Sequence, residues 1–215
     1  PNLCFACGKA QRPKDRSICI SCEYHIAPTN YHTFAENPVM ERFWGRVPIE
    51  HAATSFEFVK EGLLQELIHQ LKYRNKPEIG IELGAMHGAV IRDTHPYNTV
   101  DYIIPVPLHP RKKHLRGYNQ AAMFAQGLSQ AMQIPWTEDW LLRSEFTETQ
   151  TKKSRLARFD NVENAFAVPD LSLLQNKHFL LVDDVITTGA TLEACAQKLL
   201  KGDQTKVSIL AIALA

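Results

Sequence analysis

The stretch that decides the fold is Phe179-Leu-Leu-Val-Asp-Asp-Val-Ile-Thr-Thr-Gly-Ala-Thr-Leu192. Its apolar start, residues 179–182, predicts a buried parallel strand. Residues 192–201 have the apolar spacing and the good helix formers of a helix. A helix that begins at a turn offers backbone N–H groups without intrahelical acceptors and the positive end of its dipole. The stretch therefore predicts an α/β protein with an anion site after this strand.

Two adjacent carboxylates, Asp183 and Asp184, lie between this strand and the turn. An anion site alone does not need them, and the chain has no match to the G-x-x-x-x-G-K-S/T loop of nucleoside triphosphatases. Carboxylates accept hydrogen bonds and vicinal hydroxyls donate them, so the pair predicts a sugar phosphate such as ribose 5-phosphate. The alternative is structural: Asp183 ends the strand, and Asp184 or Thr187 caps the helix. Capping needs one such residue, whereas this turn has five residues of these types in order.

The same residues carry a family resemblance. Residues 180–191 resemble, without a gap, the 5-phosphoribosyl 1-diphosphate (PRPP) binding motif of the type I phosphoribosyltransferases. The resemblance implies that Asp183 and Asp184 hold the ribose hydroxyls, near the positive charge that develops in catalysis. It implies that the following turn wraps the 5′-phosphate, since glycine admits a close backbone approach and hydroxyls donate to phosphate oxygens. The residues of this turn are Thr187, Thr188, Gly189, Ala190 and Thr191.

Composition sets the outer bounds of the interpretation. A chain of 215 residues suits one α/β domain with a small accessory module. Its hydrophobic share of 45% can build a core, and a net charge of +1 predicts no partner by itself. No run approaches the ~20 apolar residues of a membrane span, and the first residues lack the apolar centre of a secretion signal. We therefore expect a cytoplasmic protein without membrane insertion.

Two Cys-x-x-Cys pairs open the chain, Cys4 with Cys7 and Cys19 with Cys22. Each pair can present two thiolates to one metal, and four thiolates form the tetrahedral set of structural zinc. An iron–sulfur cluster uses the same ligands and stays open as an alternative. Disulfides are not expected in a reduced compartment, and a redox site would need only one pair. We predict a zinc knuckle over residues 1–24, stabilised mostly by its metal because it has little apolar material.

The remaining organisation follows from prolines and hydrophobic periodicity. Residues 25–51 carry three prolines and scattered aromatics, which predicts a linker partly packed on a main domain of residues 52–215. Alternation predicts a strand at residues 54–59. Further helices and a closing strand are predicted at 63–73, 77–92, 120–132 and 207–214.

Residues 102–120 join a predicted buried strand to a basic loop. Five cationic or potentially cationic side chains fall within the six positions 111–116. Diphosphate carries several negative charges, and ligands of α/β sheets bind beyond the ends of parallel strands, so this loop suits diphosphate. The alternative is a solvated basic loop without a ligand.

This segment narrows the resemblance to one group. The run Pro-Val-Pro-Leu (105–108), the basic residues and Arg-Gly-Tyr-Asn-Gln (116–120) resemble the ComF group of competence proteins, also called GntX-like. That group joins a four-cysteine knuckle to a phosphoribosyltransferase-like domain. The resemblance implies a type I phosphoribosyltransferase fold, a mostly parallel sheet flanked by helices, with Mg²⁺ bound beside PRPP. The diphosphate contacts it implies are Val106, Pro107, Lys112 and Arg116. Lys112 stands where the group often has arginine, and lysine binds phosphate as a point charge without the bidentate fork.

Residues 143–166 are polar and charged, and the resemblance makes them a mobile hood over the site. Thr149-Gln150 and Arg158-x-x-Asn161-Val162 match the pattern of the group. The basic residues can equally neutralise the phosphates of a nucleic acid, and a solvated loop with neither role is the third interpretation. The predicted hood or DNA contacts are Gln150, Lys152, Lys153, Arg155, Arg158 and Asn161.

The resemblance implies a PRPP-binding factor of natural transformation that acts on or with internalised single-stranded DNA. One alternative is an active phosphoribosyltransferase of salvage type, which moves phosphoribose from PRPP to an unidentified acceptor with Asp183 and Asp184 as catalytic residues. A second alternative is a scaffold whose zinc knuckle recruits a DNA helicase. The residues alone leave enzyme and binding factor open.

Overall fold

The computed structural model describes residues 2–11, 16–143 and 165–215. In chain order the strands are β1 (Asn2–Leu3), β2 (Ala10–Gln11), β3 (His51–Thr54), β4 (Tyr102–Pro105), β5 (Leu142–Arg143), β6 (Phe166–Ala167), β7 (His178–Ile186) and β8 (Lys206–Leu214). The α-helices are α1 (Ile20–His25), α2 (Leu63–Tyr73), α3 (Pro77–Ile91), α4 (Pro110–Arg116), α5 (Gln120–Met132) and α6 (Ala190–Leu199). Short 3₁₀ helices lie at Tyr31–Thr33, Met40–Arg42, Tyr97–Thr99 and Leu171–Leu174.

A four-stranded parallel sheet with the order β3-β8-β7-β4 forms the centre of the molecule. Its two long strands, β7 and β8, lie in the middle, and their side chains alternate between two hydrophobic clusters. On one face Leu180 and Val182 belong to the cluster that includes side chains of α2, α3 and α5. On the other face Phe179 and Leu181 pack with α6. Burial on both faces explains why these strands are continuous apolar runs, as parallel strands under helices usually are.

Most elements lie where hydrophobic periodicity predicts them, and two do not. The predicted strand at 54–59 is wrong, because the strand is His51–Thr54. Every residue of that strand is buried, so it lacks the alternation that marks a half-exposed strand, and the alternation appears only where the chain leaves the sheet. The predicted basic loop is the short helix α4. His109 Nδ1 accepts the Arg111 N–H at its start, and Gly117, with φ of 81°, ends it.

Helices α3 and α5 approach each other closely because glycines line their contact. A Cβ atom on Gly127 would lie 1.9 Å from the carbonyl oxygen of Ile81, and one on Gly84 would lie 2.3 Å from that of Phe124. No side chain fits at such distances, so these glycines set the spacing of the two helices. Of the two helices, α5 packs directly on β4 and β7 of the sheet.

The four-cysteine segment packs directly on α2 and α3. The side chains of Cys4, Ile18 and Cys22 belong to the same buried cluster as Leu71 and Ile79 of these helices. Polar contacts complete the junction: Gln70 Nε2 donates to the Phe5 carbonyl oxygen at 2.6 Å, and Glu82 Oε2 accepts the Ser17 N–H at 2.6 Å. The segment therefore gains stability from apolar contacts with the main domain as well as from any bound metal.

The predicted linker also contributes to the core. Val39, Phe43 and Val47 are buried in the cluster on the α6 side of the sheet. Across the described parts of the chain, no helix combines the length and the apolarity needed to cross a membrane.

Candidate functional site

The carboxylate pair lies in the C-terminal half of β7, at the edge of the sheet where β4 also ends. Asp183 is partly buried, and its Oδ1 accepts the backbone N–H of Asp184 at 2.8 Å. Burial and the neighbouring carboxylate of Asp184 raise the pKa of Asp183 to about 8. Asp184 Oδ1 is paired with Lys72 Nζ of α2 at 3.1 Å. One carboxyl of the pair therefore holds its proton strongly, while the other already has a cationic partner.

The turn after β7 leads into the N-terminus of α6. Gly189 has a φ of 78°, in the left-handed region that favours glycine, and the helix begins at the next residue. Thr187 and Thr188 are exposed, and a concavity of about 40 Å³ is lined by Asp183 and residues 185–192. The residues predicted to wrap a 5′-phosphate are thus gathered around one small depression at a helix N-terminus.

A segment distant in sequence holds this turn in place. The Arg42 guanidinium donates to the Thr187 carbonyl oxygen, and Arg46 Nη1 donates to the Thr188 carbonyl oxygen at 3.3 Å. Arg46 also forms an ion pair with Glu193 on α6. Both arginines thus hold carbonyl groups of the turn. No motif marks the two arginines in the sequence, and they were not predicted.

Phe43, between these arginines, fixes the backbone at Gly189. A Cβ atom on this glycine would lie 3.2 Å from ring atoms of Phe43. Gly189 is therefore required twice, for its left-handed φ and for the contact with the ring. Since Phe43 is itself buried in the cluster on the α6 side of the sheet, it connects the turn to that cluster.

A cationic cleft lies beside the carboxylate pair. We use this name for a cavity of about 380 Å³ lined by Lys72, Tyr73, Asn75, Lys112, Leu115 and Arg116. The residues from α4 are spaced i, i+3 and i+4, so they share one face of that helix. Arg116 stacks over the Tyr73 ring at 5.4 Å, and its Nη1 donates to Gln120 Oε1 at 2.7 Å. The cleft thus combines three cations with the apolar surfaces of Tyr73 and Leu115.

The turn between β4 and α4 is closed by a buried asparagine. The Val106 N–H donates to the Val182 carbonyl oxygen at 2.8 Å, and the Val106 carbonyl oxygen accepts from Asn119 Nδ2 at 3.0 Å. Pro107 has no N–H. In this conformation the two residues shape the turn, and the cations that α4 contributes to the cleft are Lys112 and Arg116. Asn119 and Gln120 belong to the motif quoted above, but their supporting contacts were not predicted.

The four N-terminal cysteines come together as predicted. Their Sγ atoms all lie within 4.8 Å of one another, and those of Cys7 and Cys19 are 3.9 Å apart. A tetrahedral zinc with Zn–S bonds of about 2.3 Å requires S···S separations of roughly 3.8 Å, so the set can hold a metal such as zinc. Burial raises the pKa of Cys4, but backbone N–H groups, that of Cys19 first, outweigh it and lower the pKa to about 7. A thiol with a lowered pKa is prepared for metal ligation.

Comparison with known proteins gives the family. A family model described as "Phosphoribosyl transferase domain" matches residues 119–215. The chain is 31% identical to DNA utilization protein YhgH of Shigella flexneri over 212 residues, which cover 96% of this chain and 88% of that protein. It is 35% identical over 159 residues to Competence protein F of Haemophilus influenzae, covering 71% of this chain and 68% of that protein. Competence protein ComFC of Bacillus subtilis is 24% identical over 213 residues, covering 96% and 81%.

The chain belongs to the ComF family of phosphoribosyltransferase-like proteins. Its fold is the type I phosphoribosyltransferase fold predicted from the sequence, a parallel sheet between helices with an N-terminal four-cysteine cluster. The matched domain includes β7, its carboxylate pair and the turn into α6, whereas the cations of the cleft and the arginines on the turn precede it. In this ComF protein the candidate site is therefore built from both halves of the chain.

The predicted hood contacts of this ComF protein, Gln150, Lys152, Lys153, Arg155, Arg158 and Asn161, lie outside the described residues. Arg143, at the start of the predicted hood, is described. Its guanidinium lies 5.3 Å from the ring centre of Phe166, where β5 pairs with β6. The two ends of the 143–166 segment are thereby joined near the α6 side of the sheet.

Proposed function

We propose that this protein is a PRPP-binding, phosphoribosyltransferase-like factor of natural transformation that acts on or with internalised single-stranded DNA in the cytoplasm. The observation that carries the proposal is that Lys72 joins the acid pair to the cationic cleft. This residue is paired with Asp184 at 3.1 Å and also lines the cleft that contains Lys112 and Arg116. A ligand with a sugar at one end and a multiply charged anion at the other fits that arrangement. The relatives reported above are a DNA utilization protein and competence proteins, which supports this biological setting.

In this proposal the acid pair and the following turn take the ribose 5-phosphate half of PRPP. The 2′- and 3′-hydroxyls donate to oxygen atoms of Asp183 and Asp184, since an ionised carboxylate accepts hydrogen bonds and a protonated carboxyl keeps acceptor capacity on its carbonyl oxygen. The 5′-phosphate accepts from the N–H groups at the start of α6 and from the threonine hydroxyls. Its proposed contacts are Thr187, Thr188, Gly189, Ala190 and Thr191, which line the 40 Å³ depression beside the acid pair.

The diphosphate half of PRPP is proposed to enter the cationic cleft. Arg116 is held by Gln120 and Tyr73, so it can present its guanidinium without losing much conformational freedom. Lys112 adds a mobile point charge, and Val106 and Pro107 form the adjoining turn. Mg²⁺ would accompany the diphosphate and supply further neutralisation of its charge.

Single-stranded DNA is proposed to contact the basic segment 150–161. Its Lys152, Lys153, Arg155 and Arg158 can neutralise backbone phosphates, with Gln150 and Asn161 as polar contacts. Fluorescence anisotropy with a labelled oligonucleotide tests this step. Affinity should fall steeply with salt because counterions are released, and Lys152→Glu/Lys153→Glu should weaken binding and flatten the salt dependence. Unchanged affinity in that variant removes the segment from DNA binding.

Isothermal calorimetry with PRPP and millimolar Mg²⁺ on metal-replete protein tests the ligand itself. Binding should be saturable, and Asp183→Asn/Asp184→Asn should abolish it. The matched control is Asp93→Asn, a change at an exposed carboxylate that is paired with Arg92. Absence of heat with the folded wild-type protein would refute the proposed function.

A second candidate function is that of an active phosphoribosyltransferase. It is favoured by the acid pair and the cations proposed to bind diphosphate, which lie together at one edge of the sheet. In such a reaction the acid pair would face the positive charge that develops on the sugar, and the cleft would stabilise the leaving diphosphate. Release of diphosphate from PRPP over a panel of nucleobases separates the two functions. Saturable turnover that the double asparagine variant abolishes favours the enzyme, whereas binding without turnover favours the DNA-handling factor.

The four-cysteine segment has an exposed apolar face that favours recruitment of a protein partner as a third role. Ile20 is 73% exposed and Tyr24 is 87% exposed, and their i, i+4 spacing places them on one side of α1. The partner expected from the sequence analysis is a DNA helicase. Binding of a purified competence helicase, measured with the wild-type protein and with Ile20→Ser/Tyr24→Ser, tests this role, and equal binding by both proteins would refute it.

A further inference from the structure

Lys72 is the one point at which the two proposed halves of the ligand site touch within the described residues. It lies in the last turn of α2, and its ammonium pairs with Asp184 while its side chain lines the cleft. The pair is shielded from solvent: the side chains are 21% exposed for Lys72 and 14% for Asp184. A shielded ion pair is weakened less by water and salt than a surface pair, so it competes with any ligand of either member.

The helix end that carries Lys72 is held by contacts with α4 and with the residues that lead into α5. The hydroxyl of Tyr118 donates to the Leu71 carbonyl oxygen, and the Tyr73 ring lies under Arg116. These contacts tie the backbone on both sides of Lys72 to the junction of α4 and α5. A lysine ammonium on four methylene groups can therefore change partners while the helix stays in place.

The charges of the proposed ligand favour such a change. Ribose hydroxyls need the lone pairs of Asp184, which the ammonium of Lys72 now occupies in part. A diphosphate in the cleft carries several negative charges and would attract the same ammonium more strongly than one carboxylate does. Removal of the ammonium from Asp184 alone would leave a shielded carboxylate without its cation, which is costly unless another partner replaces it.

We propose that Lys72 exchanges partners when the ligand binds, leaving Asp184 for the diphosphate and thereby opening Asp184 to the ribose hydroxyls. The inference deepens the proposed function, on which it rests, by adding a residue that recognises the two-ended ligand. A molecule with both ends satisfies Lys72 and Asp184 together. Ribose 5-phosphate must displace the ammonium without offering it a new anion, and inorganic pyrophosphate must take the ammonium without offering Asp184 a donor. The exchange therefore selects PRPP over either half.

Calorimetry at pH 8.5 tests the exchange by comparing the wild-type protein with Lys72→Met. Three probes are used: PRPP, ribose 5-phosphate and inorganic pyrophosphate. One charge-assisted hydrogen bond corresponds to about 10- to 100-fold in affinity. PRPP and pyrophosphate should weaken by about that factor, whereas ribose 5-phosphate should bind as well as before or more tightly. The matched control is Lys76→Met, which removes the same charge four residues along the chain, where the ammonium lies over the Phe5 ring. This control should leave all three affinities unchanged.

A second variant distinguishes partner exchange from a simple change of net charge. Asp184→Asn frees Lys72, so pyrophosphate should bind more tightly than in the wild-type protein. When Lys72 is already methionine, the Asp184→Asn change should give no such gain: Lys72→Met/Asp184→Asn should bind pyrophosphate no more tightly than Lys72→Met, because the exchange needs both members. A gain that persists in the double variant overturns the inference, and so does a Lys72→Met protein in which all three probes weaken equally or none changes.

These outcomes also separate the inference from the proposed function. Wild-type protein that binds pyrophosphate but neither PRPP nor ribose 5-phosphate refutes the proposed function, while the pyrophosphate measurements still decide the role of Lys72. Wild-type protein that binds PRPP normally, with Lys72→Met indistinguishable from it, refutes the exchange alone. Binding of none of the three probes refutes both. Should Lys72→Met fail to fold, Lys72→Gln and Asp184→Asn carry the same comparison.

Discussion

Replacement of Arg46 by leucine tests whether the 187–191 turn is held ready for a phosphate by the segment 39–47. The substitution removes two contacts that cross to this region: the donor at 3.3 Å from the Thr188 carbonyl oxygen and the ion pair with Glu193. It leaves an apolar side chain, shorter than that of arginine, at this position. The 5′-phosphate site would then have to be ordered at the expense of binding free energy.

The size of the effect follows from the backbone that loses its support. Fixing one residue costs about 1–2 kcal/mol, and Thr188 is the residue whose carbonyl Arg46 holds. Since 1.4 kcal/mol is tenfold, ribose 5-phosphate should bind roughly 5- to 30-fold more weakly. Pyrophosphate, which is proposed to bind in the cationic cleft, should be unaffected.

Calorimetry with both ligands measures this difference, and amide hydrogen exchange at Thr188 and Gly189 should become faster in the variant. Arg92→Leu is the control, because Arg92 is a surface arginine after α3 whose ion pair is with Asp93. Unchanged affinity for ribose 5-phosphate, or an equal loss for pyrophosphate, would refute the reasoning. The first result would mean that the turn is ordered without Arg46, and the second that the variant is damaged more widely.

Three further predictions concern the core, the acid pair and the cysteines. Gly127→Ala should lower the free energy of unfolding by about 1–3 kcal/mol in a denaturant titration, because a Cβ atom would lie 1.9 Å from the Ile81 carbonyl oxygen; an unchanged midpoint would contradict the close approach of α3 and α5. Burial and the charge of Asp184 raise the pKa of Asp183 to about 8, above its ordinary value of 3.8. Between pH 3.8 and about pH 8 the folded protein therefore holds a proton that the unfolded chain releases, so the free energy of unfolding should fall as the pH rises through this window. Asp183→Asn should reduce that slope, and an identical slope in both proteins would refute the assignment. Treatment of the protein with a strong chelator should lower its melting temperature and release a metal that a colorimetric zinc assay detects. The control is Cys195→Ala, a change at a buried cysteine outside the cluster, and this variant should be purified with as much metal as the wild-type protein.

Local sequence determined a large part of this protein. Hydrophobic periodicity predicted α2 and α5 with the bounds that the structure gives, because each has an apolar face at helical spacing. The stretch 179–192 predicted its strand and the following helix because strand, turn and helix chemistry are all contained in consecutive residues. The four cysteines predicted their own cluster, since two closely spaced pairs need only one contact between them to come together.

Where local patterns were weak, the sequence predicted less. Strand β3 is short and buried at every position, so it has no period-2 signal, and its burial depends on pairing with β8 at the other end of the chain. The helix α4 carries no apolar face, and its start and end are marked only by His109, Pro110 and Gly117. A dense run of charge concealed these capping signals.

Tertiary structure alone decided how the candidate site is completed. Arg42 lies 145 residues before the carbonyl group that it holds, and Lys72 precedes its partner Asp184 by more than half the chain. Neither residue belongs to a motif, because a cation that acts across an interface needs only the right position in space and leaves no pattern in its own neighbourhood. The sequence of 179–192 determined that an acid pair and an anion-binding turn exist. The packing of α2 and of segment 39–47 near that edge of the sheet decided which cations contact the acid pair and the turn.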